Sequence, residues 1–339
     1  MSAQADIVAM TPREAETLSL RALLGAGASE RQARPLARAV AAAEADGIRS
    51  HGLLYVPIYC EHVACGKVDG AAEPALVRER PGAIRVDAAT GFAHPAIDLA
   101  IDALVPAVRD LGTAAAAVFN SYNCGVLGHH VERLAAEGLV ALGFTNAPAS
   151  IAPPGGRRPV IGTNPFALAV PDGRGGAAIL IDQSASVVAR SEVMMRAREG
   201  HPIPDHWALD ADGRPTTDAA AAMKGSMAPA GGHKGFGTGL MVEIFAAAMA
   251  GATLGKDASP FSGTAGGPPR TGQFFVAFDP DAFSGGAFAA RIADLAGAVA
   301  AEEGTRVPGA RRRANRERIA RDGIAPSADL VRRIEAYCR

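Results

Sequence analysis

The chain has 339 residues, with 34 Lys and Arg against 35 Asp and Glu and a formal net charge of −1. A near-neutral balance excludes general attraction to nucleic acid or to an anionic membrane, and aromatics at only 5%, with no basic segment among them, argue against a single-strand-binding surface. Hydrophobic residues at 48% and charged residues at 20% suffice to bury the core of one large domain or two modest ones.

Met1 to Met10 carry Asp6 and no basic n-region, so no signal peptide is expected. Residues 11–46 read as helical. Thr11-Pro12-Arg13-Glu14 combines a hydroxyl cap, proline at the first position and a carboxylate three residues on. Gly25 and Gly27 interrupt the pattern, and Ser29 caps a second helix that runs to about Asp46. Tyr55 to Cys65 reads as a third helix, ending at Gly66.

From about residue 75 the period changes. Ile84 to Ala88 alternates as a strand, Ala96 to Leu111 is an amphipathic helix, and Thr113 to Asn120 has the length and apolarity of a strand. Val131 to Glu137 reads as helix and Val140 to Asn146 as strand. Phe166 to Val170 and Ala178 to Asp182 are two strands around the turn Pro171-Asp172-Gly173. Residues 200–232 and 255–272 read as loops. Phe236 to Ala250 is a predicted helix, Gln273 to Asp279 a strand, Phe283 to Glu303 a helix, and Arg311 to Arg321 with Ser327 to Tyr337 a basic helical tail.

The expected fold class is α/β with helices at both ends. No strand is followed by GxGxxG, so the Rossmann fingerprint is missing. No apolar run reaches the roughly 20 residues that span a bilayer, and Leu240 to Leu254 is interrupted by Glu243. Cys60, Cys65, Cys124 and Cys338 lack zinc or CxxC spacing and read as isolated thiols of a reducing cytoplasm.

Ser50-His51-Gly52 lies on a connection between helices. A histidine there can deliver a proton near neutral pH, the serine can orient its ring, and the glycine allows close backbone approach. Taken alone, these three residues fit better a surface-loop histidine with a serine cap on the next helix. Gly231-Gly232-His233-Lys234-Gly235 precedes an apolar helix and suits phosphate, without being a Walker A loop; a flexible loop with a solvated lysine is the other reading. Thr163-Asn164 can hydrogen-bond a carboxylate or carboxamide, or simply form a turn. Asp182 and Glu192 can pair with a histidine or a ribose, or be a strand-end and a surface carboxylate. Arg311-Arg312-Arg313 fits a 2′-phosphate or a solvated helix face. There is no Gly-x-Ser-x-Gly elbow, and neither His129-His130 nor His201 with His206 has a metal-site pattern around it, so no metal is expected.

Taken in order, Asp46 to Gly52, Ile161 to Phe166, Asp182 with Ser184 and Ser186, Trp207 to Asp218, Gly231 to Gly235 and Val307 to Gly309 make the chain similar to the malate/L-lactate dehydrogenase family, which lacks a Rossmann fold. The resemblance covers nearly the whole length, and the ordered set is specific where no single piece is. It implies a helical domain made from both termini, residues 1–75 with 311–339. The rest, residues 76–310, would be an α/β cofactor- and substrate-binding domain with a largely antiparallel sheet. It implies a homodimer that acts on a small molecule and uses NADPH or NADH, while the absence of a leader or membrane span and the isolated thiols point to the cytoplasm.

The same resemblance makes His51 the proton donor, with Ser50 and an acidic residue at or near Glu192 as relay partners. Thr163 would contact substrate. The cofactor contacts would be Asn123, Cys124, Gly125, Val126 and Leu127; Asp182, Gln183 and Ser184; His233 and Lys234; and Pro308, Gly309, Ala310, Arg311 and Arg312. Two positions depart from the family pattern. Ser-His-Gly-x-x-Arg ends here in Tyr55, so the arginine expected to hold the substrate carboxylate is replaced, by Arg49 or by another group, or the substrate differs. Asn123 stands where many members have histidine, and Pro308-Gly309-Ala310-Arg311 is a milder variant of a PGER-like segment.

The runs Asn123 to Glu132, Ser259 to Gly263 and Gly272 to Phe275 look most like the reductases of cyclic ketimines, Δ1-pyrroline-2-carboxylate and Δ1-piperideine-2-carboxylate. The alternatives are an open-chain 2-hydroxyacid dehydrogenase of malate, lactate or ureidoglycolate type, and a cofactor-binding protein without activity, against which the retained Ser50-His51 argues.

Overall fold

The computed structural model describes residues 6–338, so residues 1–5, on which part of the leader argument rests, and residue 339 lie outside it. Helix α1 (Pro12–Gly25) starts where the capping box predicts: Thr11 Oγ1 accepts from Glu14 N at 3.2 Å and Glu14 Oε2 accepts from Thr11 N at 2.7 Å. Helix α2 (Glu30–Ala45) is capped by Ser29. Two single 3₁₀ turns, Arg49–His51 and Leu53–Tyr55, lead into α3 (Val56–Ala64).

The hairpin β1 (Ala75–Arg80) and β2 (Ala83–Asp87) is followed by α4 (Ala93–Leu111) and β3 (Thr113–Ser121). Then come α5 (Leu127–Ala136), β4 (Val140–Thr145), β5 (Phe166–Pro171) and β6 (Ala177–Gln183). Helix α6 (Arg190–Glu199) follows β6, and β7 (Ala208–Leu209), α7 (Ala219–Lys224) and β8 (Ser226–Met227) lie within the stretch 200–232 that composition marks as loop. Helix α8 (His233–Glu243) passes into a π-helical segment, Ile244–Met249. Last are β9 (Thr271–Phe278), α9 (Asp281–Ser284), α10 (Phe288–Ala301), α11 (Ala310–Asp322) and α12 (Ala328–Glu335). The single helix expected over 283–303 is therefore two, because Gly285 and Gly286 sit at positive φ and end α9.

The main sheet has the order β1-β2-β3-β9-β4-β5-β6. Among the described strands only β2 and β3 are parallel neighbours, joined through α4; the other pairings are antiparallel. The fold is thus mixed α/β with a mostly antiparallel sheet. One sheet face is covered by α4 and α5 through Ile97, Leu104, Leu127 and Leu134 against Val86, Val118 and Phe275. The other face takes α8 and the π-helical segment, with Val242, Ala246 and Ala250 against Phe144 and Phe274. A separate apolar cluster joins both chain ends: Leu23, Leu36, Val40 and Tyr59 of α1 to α3 pack with Ile319, Leu330 and Ile334 of α11 and α12.

Candidate active site

Ser50 and His51 lie on the 3₁₀ turn after α2. What holds the turn is Glu44, whose buried carboxylate accepts from Leu53 N at 2.8 Å. Burial pushes that carboxyl up, partly offset by this hydrogen bond and by the nearby charge of Arg49. A Cβ on Gly52 would come within 2.2 Å of Glu44 Oε1, so the glycine of Ser-His-Gly is needed for the approach of Glu44.

Ser50 Oγ lies 3.1 Å from His51 Nδ1. His51 Nε2 has no protein partner among the described residues and is the nitrogen left to meet a substrate. Burial lowers the His51 pKa, the charge of Asp182 works the other way, and His129 adds to the lowering. The ring is half-buried and lies nearly parallel to Tyr55, with centroids 6.4 Å apart and planes 6° from parallel.

Tyr55 belongs to an aromatic group. Tyr59 is 4.7 Å from it, and Tyr59 in turn meets Phe92 and Tyr122; Tyr122 packs on Phe261 at 5.3 Å. Tyr55 donates its hydroxyl to Phe261 O at 3.3 Å. Burial pushes its phenol up to about 12, against hydrogen bonds from Asn123 and Tyr122, so it stays neutral.

The remaining residues gather along β6, the edge strand, and its continuation. Leu180 N donates to Pro308 O at 3.1 Å, which docks the start of α11. Two residues on, Asp182 accepts from Gly128 N at 3.0 Å and from Arg312 Nη2 at 2.7 Å. A Cβ on Gly128 would lie 2.7 Å from Asp182 Oδ2 and 2.5 Å from Arg312 Nη1, so only glycine admits both. Beyond the strand, Ala185 N donates to Thr163 O at 2.8 Å, and Ala230 N donates to Ala185 O at 2.8 Å, just before Gly231. Ser184 Oγ is 3.1 Å from Ser186 Oγ. The expected contacts with substrate and cofactor are therefore next to one another in space.

Helix α8 begins at His233, so His233 and Lys234 are its first turn rather than a loop before it. That turn and the first turn of α11 have no side-chain cap, and Lys234 and Arg311 are exposed with no partner among the described residues. Two uncapped helix starts, each with a free cation, suit the phosphates of a dinucleotide. Arg312 Nη1 is buried without a hydrogen bond, 3.9 Å from Asp46. Arg313 is occupied with Ala177 O. Cys124 is buried, its thiol pushed up to about 12 by that burial, and its carbonyl accepts from His130 at 2.9 Å. Gly125 N donates to Asn123 Oδ1 at 2.6 Å, and Val126 and Leu127 are buried at the start of α5. Gln183 is exposed.

Glu192 makes no hydrogen bond to His51 among the described residues. Glu192, in the first turn of α6, pairs with Arg196 at 3.1 Å, and the carboxylate whose charge reaches the imidazole is Asp182. Arg49 is exposed and forms no ion pair among the described residues. The paired histidines are otherwise engaged: His129 with Asp46 at 2.9 Å, His130 with Cys124 O, His201 with Glu199 and His206 with Asp205. Among the described residues no group of three or more His, Cys, Asp or Glu could hold a metal, and no helix is long and apolar enough to cross a membrane.

The motifs pass over a charged cluster beneath the site. Asp46, fully buried, meets His129 Nε2 and the guanidinium of Arg316, which also binds Glu132 through both nitrogens at 2.7 and 2.6 Å. Burial alone would raise the Asp46 carboxyl; hydrogen bonds from His129 and Arg316 and their charges outweigh it and hold it at about 2. The signal in the sequence was an aspartate at a helix C-terminus, where the dipole disfavours it and a cation is required. A second cluster was foreshadowed by Glu243 in its apolar run. Its carboxylate accepts from Asn164 Nδ2 at 2.7 Å and Gly255 N at 2.6 Å, and so ties the Thr163 segment to α8.

A profile of the family described as malate/L-lactate dehydrogenase matches residues 10–335. The chain is 46% identical over 325 residues to a (2R)-3-sulfolactate dehydrogenase (NADP(+)) of Chromohalobacter salexigens, covering 96% of each. It is 38% identical over 332 residues to a Δ1-pyrroline-2-carboxylate reductase of Ancylobacter novellus, covering 97% of each. A crystal structure of Δ1-piperideine-2-carboxylate reductase from Pseudomonas syringae pv. tomato superposes with a TM-score of 0.91 at 34% identity, covering 97% of this chain and 99% of that one.

Proposed function

The chain belongs to the malate/L-lactate dehydrogenase family of NAD(P)-dependent oxidoreductases, and from that premise we propose that it reduces cyclic ketimine carboxylates, Δ1-pyrroline-2-carboxylate or Δ1-piperideine-2-carboxylate, to the cyclic amino acids. The observation that carries this reading is His51, oriented by Ser50 and faced by the neutral Tyr55, with the β6 segments that suit a dinucleotide on its Asp182 side. Relatives at 38% and 40% identity bear those activities in their names.

When bound, the nicotinamide cofactor supplies a hydride to the carbon of the C=N bond. The work of the chain is to hold and protonate. His51 keeps the imine nitrogen protonated, which makes the adjacent carbon electrophilic. Ser50 fixes the ring through Nδ1 and leaves Nε2 for the substrate. Lys234, Arg311 and the uncapped starts of α8 and α11 would hold the cofactor phosphates, with Asn123 to Leu127 and Asp182 to Ser184 along its length and Thr163 at the substrate. The unpaired cation at Arg311 supports NADPH over NADH.

Replacing His51 with Ala should lower kcat by about 10²- to 10⁴-fold while cofactor affinity, read by fluorescence titration, changes little. Unchanged turnover in that variant would remove His51 from the reaction. The second reading, a 2-hydroxyacid dehydrogenase, is favoured by the 46% identity to the sulfolactate enzyme. NADPH oxidation with the cyclic imines, pyruvate and oxaloacetate side by side separates the two.

The active form we propose is a cytoplasmic homodimer. Leu240, Met241, Ile244 and Met249 leave one exposed apolar strip on α8 and the π-helical segment, of the kind that a second copy covers. The four cysteines are free thiols, as a reducing compartment keeps them.

A further inference from the structure

The face of the site beyond His51 is aromatic. His51, Tyr55 and Phe261 are each partly exposed, while Tyr59, Phe92 and Tyr122 behind them are buried. No Lys or Arg side chain hydrogen-bonds to the side chains of His51, Tyr55 or Phe261 among the described residues.

This face is also held rigidly. The loop that carries Phe261 is tied down by Lys67, a buried lysine that forms no ion pair among the described residues. Its ammonium donates to Pro260 O at 2.7 Å and to Gly263 O at 2.8 Å. His62 adds a hydrogen bond to Gly263 O at 3.1 Å and meets the Tyr122 hydroxyl with its other nitrogen. The same loop fixes the Tyr55 hydroxyl through Phe261 O. Tyr55 can therefore neither swing away nor offer a positive charge. With the 2-carboxylate that every such acid carries left to Thr163, an aromatic wall held in this way accepts an apolar side arm, and a second anionic group brought against it loses its water without gaining a partner.

We infer that Tyr55, clamped by the Phe261 loop, sets the substrate class: 2-imino or 2-oxo acids whose side arm is uncharged, with acids carrying a second carboxylate or a sulfonate rejected. The inference rests on the reductase reading for the chemistry but not for the ring. It assigns the loop anchors His62 and Lys67 a positioning role, since they touch the wall and not the reacting atoms.

The test is the kcat/KM ranking of wild type on four acids: Δ1-pyrroline-2-carboxylate, pyruvate, oxaloacetate and 3-sulfopyruvate. The two acids with uncharged side arms differ in ring closure, and the last two acids carry a second negative charge. At least one of the uncharged-arm acids should exceed both dianions by about tenfold or more. Tyr55→Arg should shift that ratio toward the dianions by about tenfold or more, and Tyr55→Phe should keep the wild-type order. Lys67→Met should narrow the ratio by loosening the loop, which a merely destabilised protein would not do. Wild-type turnover of either dianion as efficient as that of the best uncharged-arm acid would overturn the inference without any variant. So would an unchanged ratio in a folded Tyr55→Arg protein. If pyruvate is reduced, the cyclic imine is not, and the dianions are refused, the ketimine reading falls and the wall stands.

Discussion

At the scale of single residues, His51 illustrates how burial sets a working pH. Its pKa lies below the ordinary 6.5, from burial against the charge of Asp182. The neutral ring predominates at neutral pH, and the donor form grows as pH falls. Reduction should therefore speed up in kcat/KM as pH is lowered through and below 6.5, and this slope should vanish in His51→Ala. A wild-type profile flat across that range would contradict the assignment. Asp46 offers a second residue-level test. Its carboxyl, held at about 2 against an ordinary 3.8, contributes about 2 kcal/mol of stability by linkage. That contribution is complete above the ordinary value and disappears as pH falls through about 2. Asp46→Asn should lower stability at neutral pH by a similar amount, read as a drop in Tm.

At the scale of elements, the site depends on three helix starts meeting one edge strand. Gly128→Ala would press a methyl group on both Asp182 and Arg312. It should cost about 1–3 kcal/mol and weaken cofactor binding with it. Lys234→Ala, on an exposed first turn, should leave Tm unchanged and raise the cofactor Kd by about tenfold. Equal cofactor affinity in the two proteins would take Lys234 out of the binding site.

The legibility of the chain followed the same division. Capped helices with strong periodicity, α1 and α2, were readable to within a residue, and β3, β4 and β5 nearly so. Helix α6 escaped notice because Arg190 to Glu199 is mostly polar and buries only Val193, leaving no apolar stripe to read. Starts shifted where a cap was lacking. Helix α5 begins at Leu127 rather than Val131, and α8 at His233 rather than Phe236, each without a side-chain cap. At the site, Ser50 and His51 stood out only within the ordered set of motifs, since the local residues alone also fit a surface histidine beside a helix cap. The engagement of Asp182 by Arg312 was not legible, since those residues are 130 positions apart.

At the scale of the molecule, two buried histidines predict sensitivity to acid. His94 is completely enclosed with both ring nitrogens unpaired, and burial, with the nearby charges of His130, His129, Arg133 and Arg38, pushes its pKa well below 6.5. His130 is pushed down to about 3, also by burial. Both stay neutral in the folded protein while the unfolded chain takes up protons, so stability is full above 6.5 and declines as pH falls from 6.5 toward 3. Melting curves across that window should show it, and His94→Phe should reduce the slope. The apolar strip on α8 predicts a dimer in sedimentation equilibrium, and Met241→Lys should shift it toward monomer.

The place of β9 in the sheet bears on how the protein is made. It lies between β3 and β4, although it leaves the ribosome after both. With synthesis at about 5–20 residues per second, the wait between Ser121 and Thr271 is on the order of ten seconds. During that time the nascent chain carries two half-sheets with facing open edges, each a template for pairing with the wrong chain. Folding of the centre is thereby deferred until β9 has been made, and a chain released before then keeps both edges bare. A ribosome stalled before Thr271 should hold a protease-sensitive chain, and one stalled well after Phe278 should hold a resistant one.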